Sequence, residues 1–448
     1  MRRVLAVGAV LALGVLAASP AAHADDQQTG RWSGQPLPGY TVDNPALAPL
    51  TVAGGATRVL QGVHRHAAYD IEIPPSWNGK LVMYAHGYRG QGTVLTVDPP
   101  PFGLREKLIG EGYAWAASSY ADNGYDVRAG VLATHDLATY FDELVREPKR
   151  VFLVGVSMGG HVTGRSVEQY PEFYAAALPM CGVLGDDQLF DIFADQNLTA
   201  QALAGVPNFP ATADYLFTAV PQIEAKLGLT GIVPGGSPTN DLGKQYRDIV
   251  TNRTGGDRPG ADNAFSFWYS FHFAFTLWGP DNGGTLAQNP GRLATNIGTV
   301  YAPNTPVDVN RIVERVAPAD PASRASKALV ASPQIFGRTD VPVLSLHDLG
   351  DLFVPFSMEQ IYARESAAHH RSRLVVQRAI RAANHCEFSD GEAGRAWDDL
   401  VSWQRTGVRP AGDAVTDPVA VARPDFGCAF TDKTAYPTGT RPLYGPCP

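Results

Sequence analysis

The sequence predicts an α/β protein: a mostly parallel sheet with helices on both faces and one large insertion. Three observations lead there. Short apolar runs alternate with helically periodic segments up to about residue 184. The alternation stops over residues 185–337 and resumes over 338–408. Between an apolar run and a helical one, the stretch RVFLVGVSMGGHV (Arg150 to Val162) sets a serine among glycines.

The chain opens with MRRVLAVGAVLALGVLAASPAAHADDQQ, which reads as a signal peptide over residues 1–24. Arg2 and Arg3 form a basic start. Val4 to Ala18 is apolar but short for a bilayer span, and Ala22-His23-Ala24 places small residues before a cleavage point at Asp25. A membrane anchor is the alternative, but no stop-transfer pattern follows. The paired arginines hint at twin-arginine export. A secreted location and no stable membrane insertion are the expectations, and no later segment resembles a membrane span.

Residues 25–184 would form the first part of the core. The Pro-, Gly- and Ala-rich stretch from 25 to about 55 reads as an irregular arm. TRVLQGV and AAYDIEIP read as an antiparallel hairpin, and KLVMYAHG and YAWAASSY as buried strands. A helix is expected from about Gly130 to Arg146, because Leu132, Leu137, Tyr140, Phe141 and Leu144 recur at helical spacing. RVFLVGVS and YAAALPMCG are strands with the helix GGHVTGRSVEQY between them. After the insertion, residues 338–408 supply the strand VPVLSLHD, a helix from Val354 to about Ala368, the strand LVVQRAI and a helix around GEAGRAWDDLVSWQ. Residues 409–448 form a Pro-rich tail expected to wrap the surface.

The 36 Lys and Arg against 44 Asp and Glu leave a net charge of −8, or −10 (34 − 44) without Arg2 and Arg3. With no basic stripe to offset phosphate repulsion, nucleic acid is excluded as a partner. Cys181, Cys386, Cys428 and Cys447 are an even set, which in an exported chain reads as two disulfides. Cys428 with Cys447 would close a short loop in the tail and leave Cys181 with Cys386; other pairings stay open. No CxxC spacing suggests zinc, and no metal is expected.

Gly155-Val156-Ser157-Met158-Gly159 matches G-x-S-x-G in the strand-to-helix context that gives the motif meaning. A serine on so sharp a turn leaves no room for side chains two positions to either side, and Gly160 gives the following helix room to approach. Ser157 is the candidate nucleophile, and a serine needs a base. His64 and His66 lie in the hairpin, His135 within a helix and His161 on the helix behind the serine. His385, in the loop of RAANHCEFS after the last strand, is the candidate base. The third member should be a carboxylate after the preceding strand, holding the imidazole in one tautomer. LSLHDLGDLFVP offers Asp348 and Asp351; Asp351, further along the loop and three residues before Val354-Pro355, is favoured. The oxyanion site needs two backbone N–H groups. Met158, directly after the serine, offers one, and Tyr88 in the turn His86-Gly87-Tyr88-Arg89-Gly90 the other.

The order Ser157, Asp351, His385 and the His86-Gly87 turn resemble the α/β-hydrolase fold superfamily, over roughly residues 55–185 and 338–405. The resemblance implies an eight-stranded sheet with a cap inserted after the sixth strand, and residues 185–337 fit that cap. The chain also resembles secreted bacterial esterases of this fold. A cysteine beside the histidine is shared with the tannase and feruloyl esterase group. In that group the partner cysteine directly precedes the serine, where this chain has Val156, so the narrower likeness fails.

The insertion contains FSFWYSFHFAFTLWG, Phe265 to Gly279. Asp262 or Asn263 could cap a helix there and Gly279-Pro280 end it. These aromatics either pack the cap or, as Phe271, His272 and Trp278, line an apolar substrate pocket. The expected function is a secreted hydrolase of small-molecule or polymer-derived carboxylic esters, working through an acyl-enzyme without a cofactor. A peptidase or amidase and a β-diketone hydrolase share the machinery, although Glu224 and Asp241 form no carboxylate cluster for a substrate amine. A catalytically inactive binding protein would not need the full set of residues. Oligomeric state has no signature in the sequence.

Overall fold

The computed structural model describes residues 34–273 and 284–447. The leader at 1–24 and Trp278 lie outside the described residues. Eight strands form one sheet: β1 (Arg58–His64), β2 (Ala67–Ile73), β3 (Lys80–Ala85), β4 (Ala114–Ser118), β5 (Arg150–Val156), β6 (Tyr174–Met180), β7 (Val343–Asp348) and β8 (Val375–Ile380). Their order across the sheet is β1-β2-β4-β3-β5-β6-β7-β8. β1 and β2 are an antiparallel hairpin and β2 runs antiparallel to β4; the other pairs are parallel.

The longer helices are α1 (Leu104–Gly110), α2 (Val127–Leu144), α3 (Met158–Gln169), α4 (Gln188–Ala204), α5 (Tyr215–Lys226), α6 (Asp241–Arg253), α7 (Ala261–Trp268), α8 (Ser357–Ala368) and α9 (Asp390–Thr406). The sheet separates two cores. Leu81, Met83, Val151 and Leu153 pack on the side of α2 and α3. Their neighbours Val82, Tyr84, Phe152 and Val154 pack on the side of α1 and α9. Covering on both faces is why β3 and β5 read as unbroken apolar runs rather than alternating ones. A truncation such as Phe152→Ala in this core costs about 3–5 kcal/mol.

Local chemistry sets several boundaries. The Asp126 carboxylate accepts the Ala129 N–H at 2.8 Å, so α2 starts ahead of the expected Gly130. α9 opens with a reciprocal capping box between Ser389 and Glu392. α1 has no side-chain cap, and Gly103 starts it from a left-handed conformation (φ 68°). No helix was expected there.

The segment between the sixth and seventh strands holds α4 to α7 joined by long irregular stretches. α4 is buried almost all round, so its sequence has no single apolar face to announce a helix. α7 starts at Ala261 behind a left-handed Gly260, not at an Asp262 or Asn263 cap, and ends at Trp268. The Asn263 amide instead donates to the Leu443 carbonyl of the tail. A 3-10 turn, Phe271–Phe273, follows, and the rest of the aromatic stretch lies outside the described residues. The tail covers the open edge of β8. Asp413 N–H donates to the Gln377 carbonyl at 2.7 Å, and the Asp413 carboxylate accepts Ala379 N–H at 2.8 Å. No described helix is long and apolar enough to cross a membrane.

Candidate active site

Ser157 stands between the last residue of β5 and the first of α3, at φ 59° and ψ −122°. A serine pays for that conformation only where its surroundings impose it. Here the ladder continues past the strand: Ser157 N–H donates to the Met180 carbonyl at 3.0 Å. The flanking glycines are steric requirements. A Cβ on Gly155 would sit 2.1 Å from the Gly159 carbonyl oxygen, and one on Gly159 would sit 2.0 Å from that of Ala85. The α3 N-terminus therefore presses directly on β3 and β5, with the serine at the point of contact.

Asp351 follows β7 by a short turn and is fully buried. Its Oδ1 accepts the N–H groups of Phe353 and Val354, both at 2.9 Å, which fixes the carboxylate plane. Its Oδ2 lies 2.5 Å from His385 Nδ1. His385 Nε2 lies 2.8 Å from Ser157 Oγ. A carboxylate only accepts, so Nδ1 carries the proton and Nε2 is left to accept from the serine hydroxyl. The structure thus brings Ser157, His385 and Asp351 into one hydrogen-bonded run. Phe353 packs edge-on against the imidazole, ring centroids 4.8 Å apart.

Asp348, the other carboxylate of that loop, does not meet the imidazole. It is fully buried at the end of β7, where its Oδ2 accepts the Glu387 N–H at 2.7 Å. Burial, with the nearby charge of Asp351, pushes its carboxyl well above the usual range. The two loops also pair through their backbones: Leu349 N–H donates to the Ile380 carbonyl and Gly350 N–H to that of Ala382.

Met158 follows the serine directly, and the turn that carries Tyr88 approaches it from β3. Met158 is the first residue of α3, where the helix leaves its N–H without an intrahelical acceptor. Gly87, just before Tyr88, lies so near that a Cβ on it would be 3.0 Å from Ser157 Cβ. The turn is braced from below. The Tyr120 hydroxyl donates to the His86 carbonyl at 3.0 Å, and the two rings stack 3.9 Å apart. Burial, then the charge of Arg89, pushes the His86 imidazole down to about 3, so it stays neutral.

Phe271 packs against Phe353, ring centroids 4.9 Å apart, and so sits one ring removed from His385. His272 is turned into the interior of the inserted segment beside Tyr246 and Phe265. Burial drives its imidazole down to about 3. Trp268, not singled out in the sequence, donates its indole N–H to the Ala383 carbonyl at 2.6 Å, two residues before the histidine.

Cys181 is bonded to Cys386, and Cys428 to Cys447. The first bridge ties the residue after His385 to the end of β6. Cys181, His385 and Cys386 are the one group of potential metal ligands close enough to share an ion among the described residues, but the two sulfurs are bonded to each other. Two further sets of residues were missed. One is the His347–Glu359 pair under the acid loop, for which a histidine inside a buried strand was a readable signal. The other is the part of the tail around Thr440, for which no local signal exists.

No family model matches the chain. A curated relative, the o-phthalyl amidase of Xanthobacter agilis, is 29% identical over 77 residues, which span 17% of this chain and 17% of that protein's length. Among solved structures, the tannin acyl hydrolase of Aspergillus niger aligns with a TM-score of 0.48 at 12% identity, over 79% of each chain. Feruloyl esterase B of Aspergillus oryzae aligns with a TM-score of 0.46 at 16% identity, over 82% of this chain and 86% of that one. An eight-stranded sheet ordered β1-β2-β4-β3-β5-β6-β7-β8, helices on both faces and an insertion after the sixth strand are the α/β-hydrolase fold, and that is the fold of this chain.

Proposed function

We propose that the protein is an exported serine hydrolase that cleaves carboxylic esters. The observation that carries the reading is the continuous hydrogen-bonded run Asp351–His385–Ser157, with separations of 2.5 and 2.8 Å, ending on a serine held at positive φ. In this reading His385 Nε2 takes the Ser157 proton as Oγ attacks the ester carbonyl. Asp351 holds the imidazole and stabilises the imidazolium that forms. The Met158 and Tyr88 N–H groups receive the oxyanion. His385 then protonates the leaving alcohol, and a water activated by the same imidazole releases the acid from the acyl-enzyme. Substrates would be small-molecule or polymer-derived esters. The basic and apolar leader-like start and the two disulfides support export.

The test is Ser157→Ala against wild type with p-nitrophenyl esters and a fluorophosphonate probe. Wild type should turn over the esters and take the label. The variant should lose both, with kcat down on the order of 10⁴-fold or more and the fold retained. A variant that still hydrolyses like wild type overturns the reading. The short match to an amidase favours a second reading, amide cleavage by the same relay. Turnover of aryl anilides faster than of the matching esters would put that reading first.

A further inference from the structure

The tail beyond Phe426 lies against the histidine loop, and one hydroxyl in it is fully committed there. Thr440 Oγ1 accepts the N–H of Ala383 at 2.6 Å and that of Asn384 at 3.1 Å, and donates to Glu387 Oε2 at 2.5 Å. A hydroxyl has one donor and two acceptor positions, so all its capacity is spent on the residues on either side of His385. Thr440 N–H adds a bond to Glu387 Oε1 at 2.8 Å. Asn384 in turn accepts the His385 N–H on its Oδ1 at 2.9 Å.

The neighbours of Thr440 extend this grip. The buried Arg441 guanidinium reaches Glu387 Oε1 at 3.1 Å, the Glu387 carbonyl at 3.1 Å and Glu392 Oε2 at 2.6 Å. Glu392 also forms the capping box of α9, so the loop is held at its far end too. The Tyr444 hydroxyl donates to the Ala382 carbonyl at 3.0 Å. The same side chain fills the space over Gly350 of the acid loop and Gly260 before α7, where a Cβ would come within 2.1 Å of its hydroxyl and 2.2 Å of its ring. The bridge from Cys428 to Cys447 closes this stretch into a loop of its own.

We propose that Thr440 is a positioning residue for His385, delivered by the disulfide-closed tail. This inference rests on the reading of His385 as the base. Thr440 sets the backbone on either side of the imidazole and thereby the distance from Nε2 to Ser157 Oγ. It touches neither substrate nor reacting atoms. A valine of the same shape would leave two N–H groups and one carboxylate oxygen without partners, and the loop would relax away from its catalytic position. An error of about 1 Å in such a placement costs about 100-fold in rate.

The experiment compares wild type, Thr440→Val, Thr440→Ser and the double variant Cys428→Ser/Cys447→Ser. Two readouts are taken: p-nitrophenyl ester kinetics, and hydrogen exchange of residues 382–390. Thr440→Val should lower kcat about 10- to 100-fold, keep KM within about twofold, and speed exchange in 382–390 while the sheet stays protected. Thr440→Ser, which keeps the hydroxyl, should restore both. The double variant loosens the tail without removing any of these hydrogen bonds, and should give a smaller change in the same direction. It carries the test if the valine variant does not fold. Unchanged exchange in 382–390 in the valine and double variants overturns the proposal, as does a serine variant as impaired as the valine one. A loop that loosens in a protein whose wild type neither turns over esters nor takes the probe leaves the clamp standing and overturns the hydrolase reading instead.

Discussion

Asp351 and His385 sit on adjacent loops, after β7 and β8, and the contacts that fix them come from opposite distances along the chain. The Asp351 carboxylate is held by its sequence neighbours, while the backbone just before it also bonds to the histidine loop and to Arg258. Asp351 takes two N–H groups from within three residues, and the Val354 carbonyl accepts from His347, seven residues back. His347 in turn lies 3.2 Å from Glu359, and Ser345 donates to the same carboxylate at 2.6 Å. The histidine loop is held by strangers. Arg381, Ala382 and Ala383 bond to Thr431, Tyr444 and Thr440, 50, 62 and 57 residues away, and Cys386 bonds to Cys181 at a separation of 205. Local contacts close small loops and order with β7 itself. Remote ones close long loops and depend on a separate segment docking first. The Asp351 carboxylate is thus set largely by its own loop, and the His385 imidazole is placed by assembly.

The largest effect that would test this contrast comes from Asp351→Asn. It keeps the shape of the side chain but allows the wrong imidazole tautomer, so kcat on p-nitrophenyl esters should fall on the order of 10⁴-fold, with exchange in 382–390 unchanged. A loss of less than about tenfold would place the orienting carboxylate elsewhere and dissolve the contrast between the loops.

His347→Gln should act on stability more than on chemistry. Both His347 ring nitrogens face acceptors, the Glu359 carboxylate and the Val354 carbonyl, an arrangement that favours the protonated ring. Burial works against that charge. The hydrogen bond and charge of Glu359, the charge of Asp351 and the Val354 carbonyl overcome it and raise the imidazole above its ordinary value. A raised histidine contributes stability that is complete below its unfolded value, about 6.5, and is lost as pH rises through the folded one. Breaking a buried pair costs about 3–5 kcal/mol, so the variant should unfold at lower urea concentration. The gap to wild type should be widest near pH 6 and shrink on the alkaline side. A gap that does not vary with pH would mean that the pair is uncharged.

The same contrast decides what could be read from the sequence alone. The serine turn was legible because its glycines answer to contacts within a few residues, and the neighbouring strand leaves no room for a Cβ. Asp351 was legible because a carboxylate just before Val354-Pro355 sits where a strand gives way to a helix. His385 was legible from its place after the last strand, and two disulfides from the even number of cysteines, with the pairing left open. Thr440 was not, because a threonine in a Pro-rich tail looks the same whether it meets solvent or the loop that carries His385. α4 escaped because burial on every side erases periodicity, and α1 because glycine rather than a side chain starts it. His347 escaped for a different reason: an imidazole between Leu346 and Asp348 in a buried strand announces that it needs partners, but not which ones.

The smallest expected effect is the sharpest test of which carboxylate serves the relay. Asp348 lies three residues from Asp351 and is equally buried, yet its Oδ2 receives a backbone N–H from Glu387, not the imidazole. Burial first, then the charge of Asp351, raises its carboxyl well above the ordinary value, against the pull of that N–H. A carboxyl so raised resists ionising beside Asp351, which limits the like charge at close range. For a raised carboxyl the stability contribution is present below the unfolded value, about 3.9, and is lost as pH rises through the folded one. Asp348→Asn keeps an oxygen for the Glu387 N–H and cannot ionise. Its stability relative to wild type should therefore improve as pH rises, and kcat should change less than about fivefold. Urea denaturation from pH 4 to 9 and ester kinetics at each pH would measure both. A kcat loss rivalling that of Asp351→Asn would assign the orienting role to Asp348 and reverse the division of labour between the two carboxylates.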